Sequence, residues 1–319
     1  MAICPKCSKK SIQYGERCSC GRAYTVRENP GSDPLDLLGK LLLDKFIPIA
    51  VLKSSPCTIT YEAVQLVVDR IITLNVLKPA SFGDKEIRTF FHKVVEKYSA
   101  IKQQNIPTLL EVLDLKHEKT FAVTSDAPKG ECLADIIKTR KLEPVSLMHI
   151  SHQALQALAT IHQNGLRFPN FGMENIYVMR SGGDDSFVKI SGFIDSNLAM
   201  AKVDASTRDD VYDIAQMILS LMTEKEPPVK SVELPQDRLY LTPIAQLFLK
   251  AATGNQPYPS CMELLTAFES AFNITPVREP KVSPLGSQEM QVVKNSPQKP
   301  TPVPFEQIIW MHQPPQRDE

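Results

Sequence analysis

The order in which two periodicities appear constrains this chain more than any single residue. In CTITYEAVQLVVDRIITLNVLK, Cys57 to Lys78, apolar and polar residues alternate, which predicts two or three antiparallel strands with a turn near Asp69 and Arg70. Helical spacing takes over in IRTFFHKVVEKYSAI, in VSLMHISHQALQALATIHQ and in RDDVYDIAQMILSLMT. Strands first and then mostly helices is an α+β pattern: a small sheet lobe followed by a larger helical lobe, running from about Phe46 to about Asn273. With 319 residues and 43% hydrophobic content, the chain can bury one large domain or two smaller ones, with accessory segments to spare.

The segments outside that body are of two kinds. At the front, residues 1–28 carry Cys4-x-x-Cys7 and then Cys18-x-Cys20 followed by Gly21. Each pair presents two thiolates from one tight turn, and two such turns close a tetrahedral site of four sulfurs, so structural zinc is the expected cofactor. About thirty residues cannot bury enough apolar surface to fold alone, which makes metal close to obligatory. The pattern resembles a zinc ribbon whose second pair is one residue tighter than the commoner spacing. Redox-active or unpaired cysteines are the alternative. The other three cysteines, Cys57, Cys132 and Cys261, are scattered, as for reduced thiols. Residues 29–45 read as a linker marked by Pro30, Gly31 and Pro34, ending in a short Leu-rich amphipathic segment. Behind the body, residues 274–319 are rich in proline and poor in periodic apolar residues, the composition of a disordered tail. Within it Phe305, Ile308, Ile309, Trp310 and Met311 form an apolar island, either a docking motif for a partner or a strap onto the protein's own body.

Charge excludes some function classes. Basic and acidic residues balance at 36 each, so no global field draws the chain to nucleic acid or an anionic membrane. No apolar run approaches the ~20 residues that span a bilayer, and the N-terminus lacks a signal-peptide core, so a soluble cytoplasmic protein is expected.

Four segments of the body carry a resemblance to one family. GLRFPNFGMENIYV, starting at Gly165, resembles the catalytic loop GVVHRDLKPENILL at the same length, and VKISGFIDS resembles VKIADFGLA. LKSSPCTITYEA resembles the glycine-rich LGRGGMGVVYRA, and ITLNVL resembles VALKVL. The body is thus similar to the eukaryotic-type (Hanks-type) serine/threonine protein kinases, which implies a bilobal kinase-like fold over almost its whole length.

The same resemblance implies that the chemistry is missing. Every glycine of the phosphate-covering loop, here Lys53 to Thr58, is replaced, and Pro56 removes a backbone donor as well. Asn75 stands where a lysine grips the phosphates, and that lysine's glutamate partner falls at Lys93 or Val94. Asn170 takes the place of the catalytic aspartate and is too weakly basic to accept the proton of an attacking hydroxyl. Phe168 and Pro169 replace the histidine and arginine before it. Gly192 replaces the magnesium-binding aspartate, leaving Asn175 alone as a poor site for a cation that prefers carboxylates, so binding of ATP or magnesium is doubtful. Asp195 is a conceivable substitute, although an aspartate in a loop more often serves a turn or cap. The stretch between Phe193 and Asp210 is shorter than the family's activation segment and lacks Ala-Pro-Glu, and Gln256 and Pro257 stand where the arginine that pairs with that glutamate belongs. What the resemblance keeps is architectural: Phe193 and Phe168 as apolar rings of a core pillar, Asp210 as the tie to the catalytic-loop backbone, and His162 at the helix end before that loop.

Three readings follow. The first is a pseudokinase, a catalytically inactive scaffold or allosteric regulator that meets protein partners through the kinase-like domain, the ribbon or the tail. The second is a divergent ATP-dependent kinase with rerouted residues: Lys53, Asn75 and Asn175 lining a nucleotide cleft, Lys53 supplying charge, and Asp195 or Asp184 holding metal. Lys78 is a poorer rescuer because three residues along a strand turns it away from Asn75. The third makes the ribbon a nucleic-acid module through Lys6, Lys9, Lys10, Arg17, Arg22 and Arg27, a reading weakened by having only Tyr14 and Tyr24 to stack on bases.

Overall fold

Helix α2 (Lys85–Ser99) shows how local sequence builds the small lobe. Asp84 begins it by accepting the backbone N–H groups of Glu86 at 2.9 Å and Ile87 at 3.2 Å, two of the donors a helix start leaves unpaired. Phe91, Val94, Val95 and Tyr98 recur at helical spacing and are the buried face. A preceding turn of helix, α1 (Pro79–Gly83), starts on a proline whose missing N–H costs nothing at that position. The computed structural model describes residues 33–271 apart from 69, 181–185, 200–206 and 254–257, together with residues 2–3 and 10–12.

The small lobe's sheet has five antiparallel strands in the order β3-β4-β5-β7-β6. They are β3 (Phe46–Ser54), β4 (Thr58–Gln65), β5 (Arg70–Leu77), β6 (Leu109–Leu115) and β7 (Thr120–Asp126). Register places Asn75 of β5 opposite Thr60 of β4 on one side and Val123 of β7 on the other. Two short strands near the N-terminus, β1 (Ala2–Ile3) and β2 (Lys10–Ile12), pair antiparallel and bracket Cys4 and Cys7 in sequence.

The segment expected as a linker is not a free connector. Leu37 and Leu42 are buried in the small-lobe core with Phe46, Ile59, Tyr61 and Leu74, and the Tyr61 hydroxyl donates to Asp33 Oδ1 at 2.5 Å. Tyr61 thus has its ring in the core and its one polar atom satisfied, so residues 33–45 belong to the lobe.

The larger lobe is mostly helical. A small sheet of β8 (Glu131–Cys132), β9 (Ile176–Arg180) and β10 (Ser186–Ile190) leads it, with helices α3 (Leu133–Thr139), α4 (Pro144–Gln163), α5 (Phe193–Ala199), α6 (Thr207–Thr223), α7 (Thr242–Ala251) and α8 (Cys261–Ala271). α4 and α6 are its pillars. α4 buries Leu147, Ile150, Ala154, Leu155, Leu158 and Ile161, and it packs on β10 and α6. The chain divides into compact units 1–267 and 268–319, and the described part of the second is the last turn of α8. None of the described helices is long and apolar enough to cross a membrane.

Candidate functional site

The loop between α4 and β9 carries Asn170, and α6 holds it from below through two aspartates three residues apart, hence on one helical face. Asp210 Oδ2 accepts the Phe168 backbone N–H at 2.6 Å and meets His162 Nε2 at 2.9 Å. His162 Nδ1 accepts the Cys261 N–H at 3.1 Å, so the neutral ring carries its proton on Nε2 and donates it to Asp210. Asp213 accepts the backbone N–H groups of Asn170 and Phe171; burial, then the charge of Asp210, pushes its pKa up to about 6 against that stabilisation. Asn170 itself is exposed at φ +56°, in a left-handed conformation that asparagine tolerates better than most side chains.

Above this anchor runs a column of aromatic rings. Phe168 and Phe193 are 5.8 Å apart edge to face, Phe193 and Tyr98 of α2 5.1 Å, and Phe171 flanks Phe168 at 5.0 Å. These spacings suit T-shaped pairs of rings. Tyr98, which sequence reading did not single out, ends the column and donates its hydroxyl to the Pro107 carbonyl at 2.5 Å. Four residues earlier Val94 is buried whereas Lys93 is exposed, so no carboxylate stands at the partner position for residue 75.

Of the cleft residues, Asn75 and Asn175 are turned inward and occupied, whereas Lys53 is exposed. Asn75 is 6% exposed and its Oδ1 accepts from the Thr60 hydroxyl at 2.9 Å. Asn175 has both ends of its amide engaged: Oδ1 accepts the Gly172 N–H at 3.0 Å, and Nδ2 donates to the Ser191 carbonyl at 3.1 Å. Gly192 adopts φ +84°, and a Cβ built there would lie 2.9 Å from Asn175 Nδ2 and 3.9 Å from Lys53 Nζ. Between Asn75 and Gly192 lies a cavity of about 20 Å³, room for about one water molecule. The β3–β4 hairpin spends its amides on itself, because Ser55 Oγ accepts the N–H groups of Cys57 at 3.3 Å and Thr58 at 3.1 Å, and Pro56 has none.

Asp195 is not the turn or cap residue expected of it. It lies in the first turn of α5, 2% exposed, with Ser55 Oγ donating to its Oδ1 at 2.7 Å and Lys53 Nζ 3.9 Å from Oδ2. Burial raises its pKa, and Ser55, Lys53 and Lys78 pull it back part of the way. The structure therefore brings Lys53, Asn175, Gly192 and Asp195 together, while Asn170 stands apart and exposed.

Cys4, Cys7, Cys18 and Cys20, Asp184, Gln256, Pro257 and residues 305–311 lie outside the described residues. Among those described, no group of three or more histidine, cysteine, aspartate or glutamate side chains is arranged to hold a metal ion. Sequence reading also missed Arg238, 1% exposed, which donates to the carbonyls of Leu221, Met222 and Leu142 and pairs with Glu224 at 3.1 Å. That network walls a cavity of about 500 Å³ in the larger lobe. Only an isolated arginine showed in the sequence, since its partners lie up to 96 positions away.

No family model of known proteins matches the chain. Among solved structures, the C20A mutant of the Mycobacterium tuberculosis PknI kinase domain superposes with a TM-score of 0.52 at 19% identity, over 71% of this chain and 95% of that one. The apo GRMZM2G135359 pseudokinase superposes with a TM-score of 0.57 at 15% identity, over 71% of this chain and 89% of its own. The fold is protein-kinase-like. In this kinase-like body the five-stranded sheet with α2 is the small lobe, and the cleft residues sit where the lobes meet. Weak kinase relatives accompany the fold. Human NUAK family SNF1-like kinase 1 is 25% identical over 129 residues, 40% of this chain and 19% of that protein. Serine/threonine-protein kinase pkn3 of Myxococcus xanthus is 25% identical over 180 residues, 56% of this chain and 31% of that protein. The chain thus spans about a third or less of the length of these kinases.

Proposed function

We propose that this kinase-like body is a pseudokinase, a cytoplasmic scaffold or allosteric regulator that has kept the architecture of its fold and lost phosphoryl transfer. The observation that carries this reading is Gly192: it supplies no carboxylate where magnesium coordination needs one, and a Cβ at its φ of +84° would crowd Asn175 Nδ2 at 2.9 Å. Asn75 offers no charge, Asn170 no base, and the hairpin amides are already bonded to Ser55. The intact ring column and the Asp210 anchor support a fold retained for its shape. In front of the body, zinc held by Cys4, Cys7, Cys18 and Cys20 would form a small docking module, with protein partners recruited there, on the body or through residues 305–311.

A second reading draws on the 3.9 Å approach of Lys53 to Asp195. It makes them a rerouted charge and metal ligand of a divergent kinase. Thermal-shift titration with ATP, with and without magnesium or manganese, paired with radiolabelled autophosphorylation, separates the two. The pseudokinase predicts no label. Stabilisation by ATP without metal and without label would mark a nucleotide-sensing scaffold. Label that disappears in Lys53→Met would overturn the proposal in favour of the rerouted kinase.

A further inference from the structure

Three contacts tie the β3–β4 hairpin to α5. Ser55 Oγ donates to Asp195 Oδ1 at 2.7 Å, Lys53 Nζ lies 3.9 Å from Asp195 Oδ2, and Cys57 Sγ reaches the Leu198 carbonyl at 3.5 Å. Among the described residues Ser55 is the hydrogen-bond donor to Asp195, a carboxylate only 2% exposed. A buried carboxylate held by one neutral hydroxyl and a more distant ammonium is stable while the hydroxyl keeps its proton, and it tolerates added negative charge poorly. That hydroxyl belongs to Lys53-Ser54-Ser55-Pro56, a hairpin turn in which Ser55 is half-buried and its three neighbours are exposed.

We propose that Ser55 is a phosphorylation site, and that a phosphoryl group on it loosens α5 from the β3–β4 hairpin. The modifying enzyme is a separate serine/threonine kinase, and Pro56 immediately after the acceptor suits a proline-directed one. In the transfer, Ser55 Oγ bonds to the γ-phosphorus of a nucleoside triphosphate and the bond from that phosphorus to the bridging oxygen breaks. The nucleoside diphosphate leaves, and the hydroxyl proton passes to the modifying kinase's base. Asp195 then loses its donor and faces a group carrying about −1.5 to −2 charges. Lys53 is 3.9 Å from Asp195, and Lys78 is near enough to act on it, so both can transfer to the phosphate. The latch thereby exchanges a Ser55–Asp195 pair for a phosphate–lysine pair confined to the small lobe, and α5 loses its carboxylate tether to the hairpin while keeping the Asn197 bonds to the Arg167 backbone. This control operates whether or not the cleft binds nucleotide, so its test reads backbone exchange and not nucleotide affinity.

Full-length protein is treated with ATP and a proline-directed serine/threonine kinase, the phosphate is located by mass spectrometry, and amide hydrogen exchange is followed in residues 53–58 and 193–198. Ser55→Ala, treated in parallel, retains Ser283 and Ser296, which also precede proline, and so isolates the effect of Ser55. Phosphorylated protein is expected to exchange at least about ten-fold faster in both segments than unmodified protein, with a smaller increase in Ser55→Ala, which loses the hydrogen bond without gaining charge. In phosphorylated Asp195→Asn, where the repulsion is gone, the increase over its own unmodified form should fall below about three-fold. No phosphate on Ser55, unchanged exchange after its phosphorylation, or an undiminished increase in Asp195→Asn would each overturn the inference.

Discussion

Gly192 is held at φ +84°, with Asn175 Nδ2 2.9 Å from where a Cβ would stand. A non-glycine residue at φ +84° is strained whatever its chemistry, and its Cβ would press on the Asn175 amide. Restoring the family's carboxylate with Gly192→Asp is therefore expected to lower stability by about 1–3 kcal/mol in denaturant unfolding, without creating magnesium-dependent stabilisation by ATP. Gain of such stabilisation would show that the cleft re-forms around a carboxylate and that its present closure is secondary. Asp213 makes a second, pH-dependent case. Its pKa is raised to about 6 by burial and by Asp210, against an ordinary value near 3.9. Between those two values the folded protein holds the proton more tightly than the unfolded chain. This group's contribution is therefore full below about pH 4 and is lost as pH rises through about 6. Asp213→Asn should gain on the order of 1 kcal/mol relative to wild type at pH 7.5, after allowance for partial solvent screening, and the gap should shrink to about half at pH 5 and close below about pH 4. Thermal melts of both proteins across that range check it; a constant difference would mean that Asp213 does not titrate there.

At the scale of elements, α2, α4 and α6 were legible because each repeats apolar residues at helical spacing over several turns, and they run Lys85–Ser99, Pro144–Gln163 and Thr207–Thr223. β4 and β5 were legible from alternation. Two elements were not. The 33–45 segment has prolines and a glycine nearby and reads as a connector, yet its leucines fill one edge of the small-lobe core, a fit that depends on β4 and β5 being in place. Leu37→Ala should therefore cost about 2–5 kcal/mol, as a buried leucine does, whereas a linker leucine would cost little. Denaturant unfolding of the 33–271 body distinguishes the two. α5 is the other case: seven residues have too little periodicity to announce a helix, and Ser55, Cys57 and Phe168 supply what holds it.

For the whole molecule, the proposed zinc ribbon, read as a unit apart from the body, makes a prediction of its own. Cys4→Ser and Cys18→Ser should each release zinc, measured by metal analysis, and leave the unfolding transition of the kinase-like body unchanged, because a site of four thiolates fails when one is lost. A single shifted transition for the entire protein would show that ribbon and body fold as one. The sequence by itself determined the kinase-like order of elements and the uncharged residues Asn75, Asn170 and Gly192, because periodicity and residue type are local properties that no folding step alters. It also assigned Asp210 to the backbone of the loop after α4, where its Oδ2 accepts the Phe168 N–H, whereas the contact of that carboxylate with His162 appeared only in the structure. Only the tertiary structure decided that Asp195 is a buried latch partner of Ser55, that Tyr98 completes the ring column, and that Arg238 anchors a network of carbonyls. Such pairs join residues up to 140 positions apart. Their energies depend on burial and on a few ångströms of approach, and neither exists until the lobes have folded.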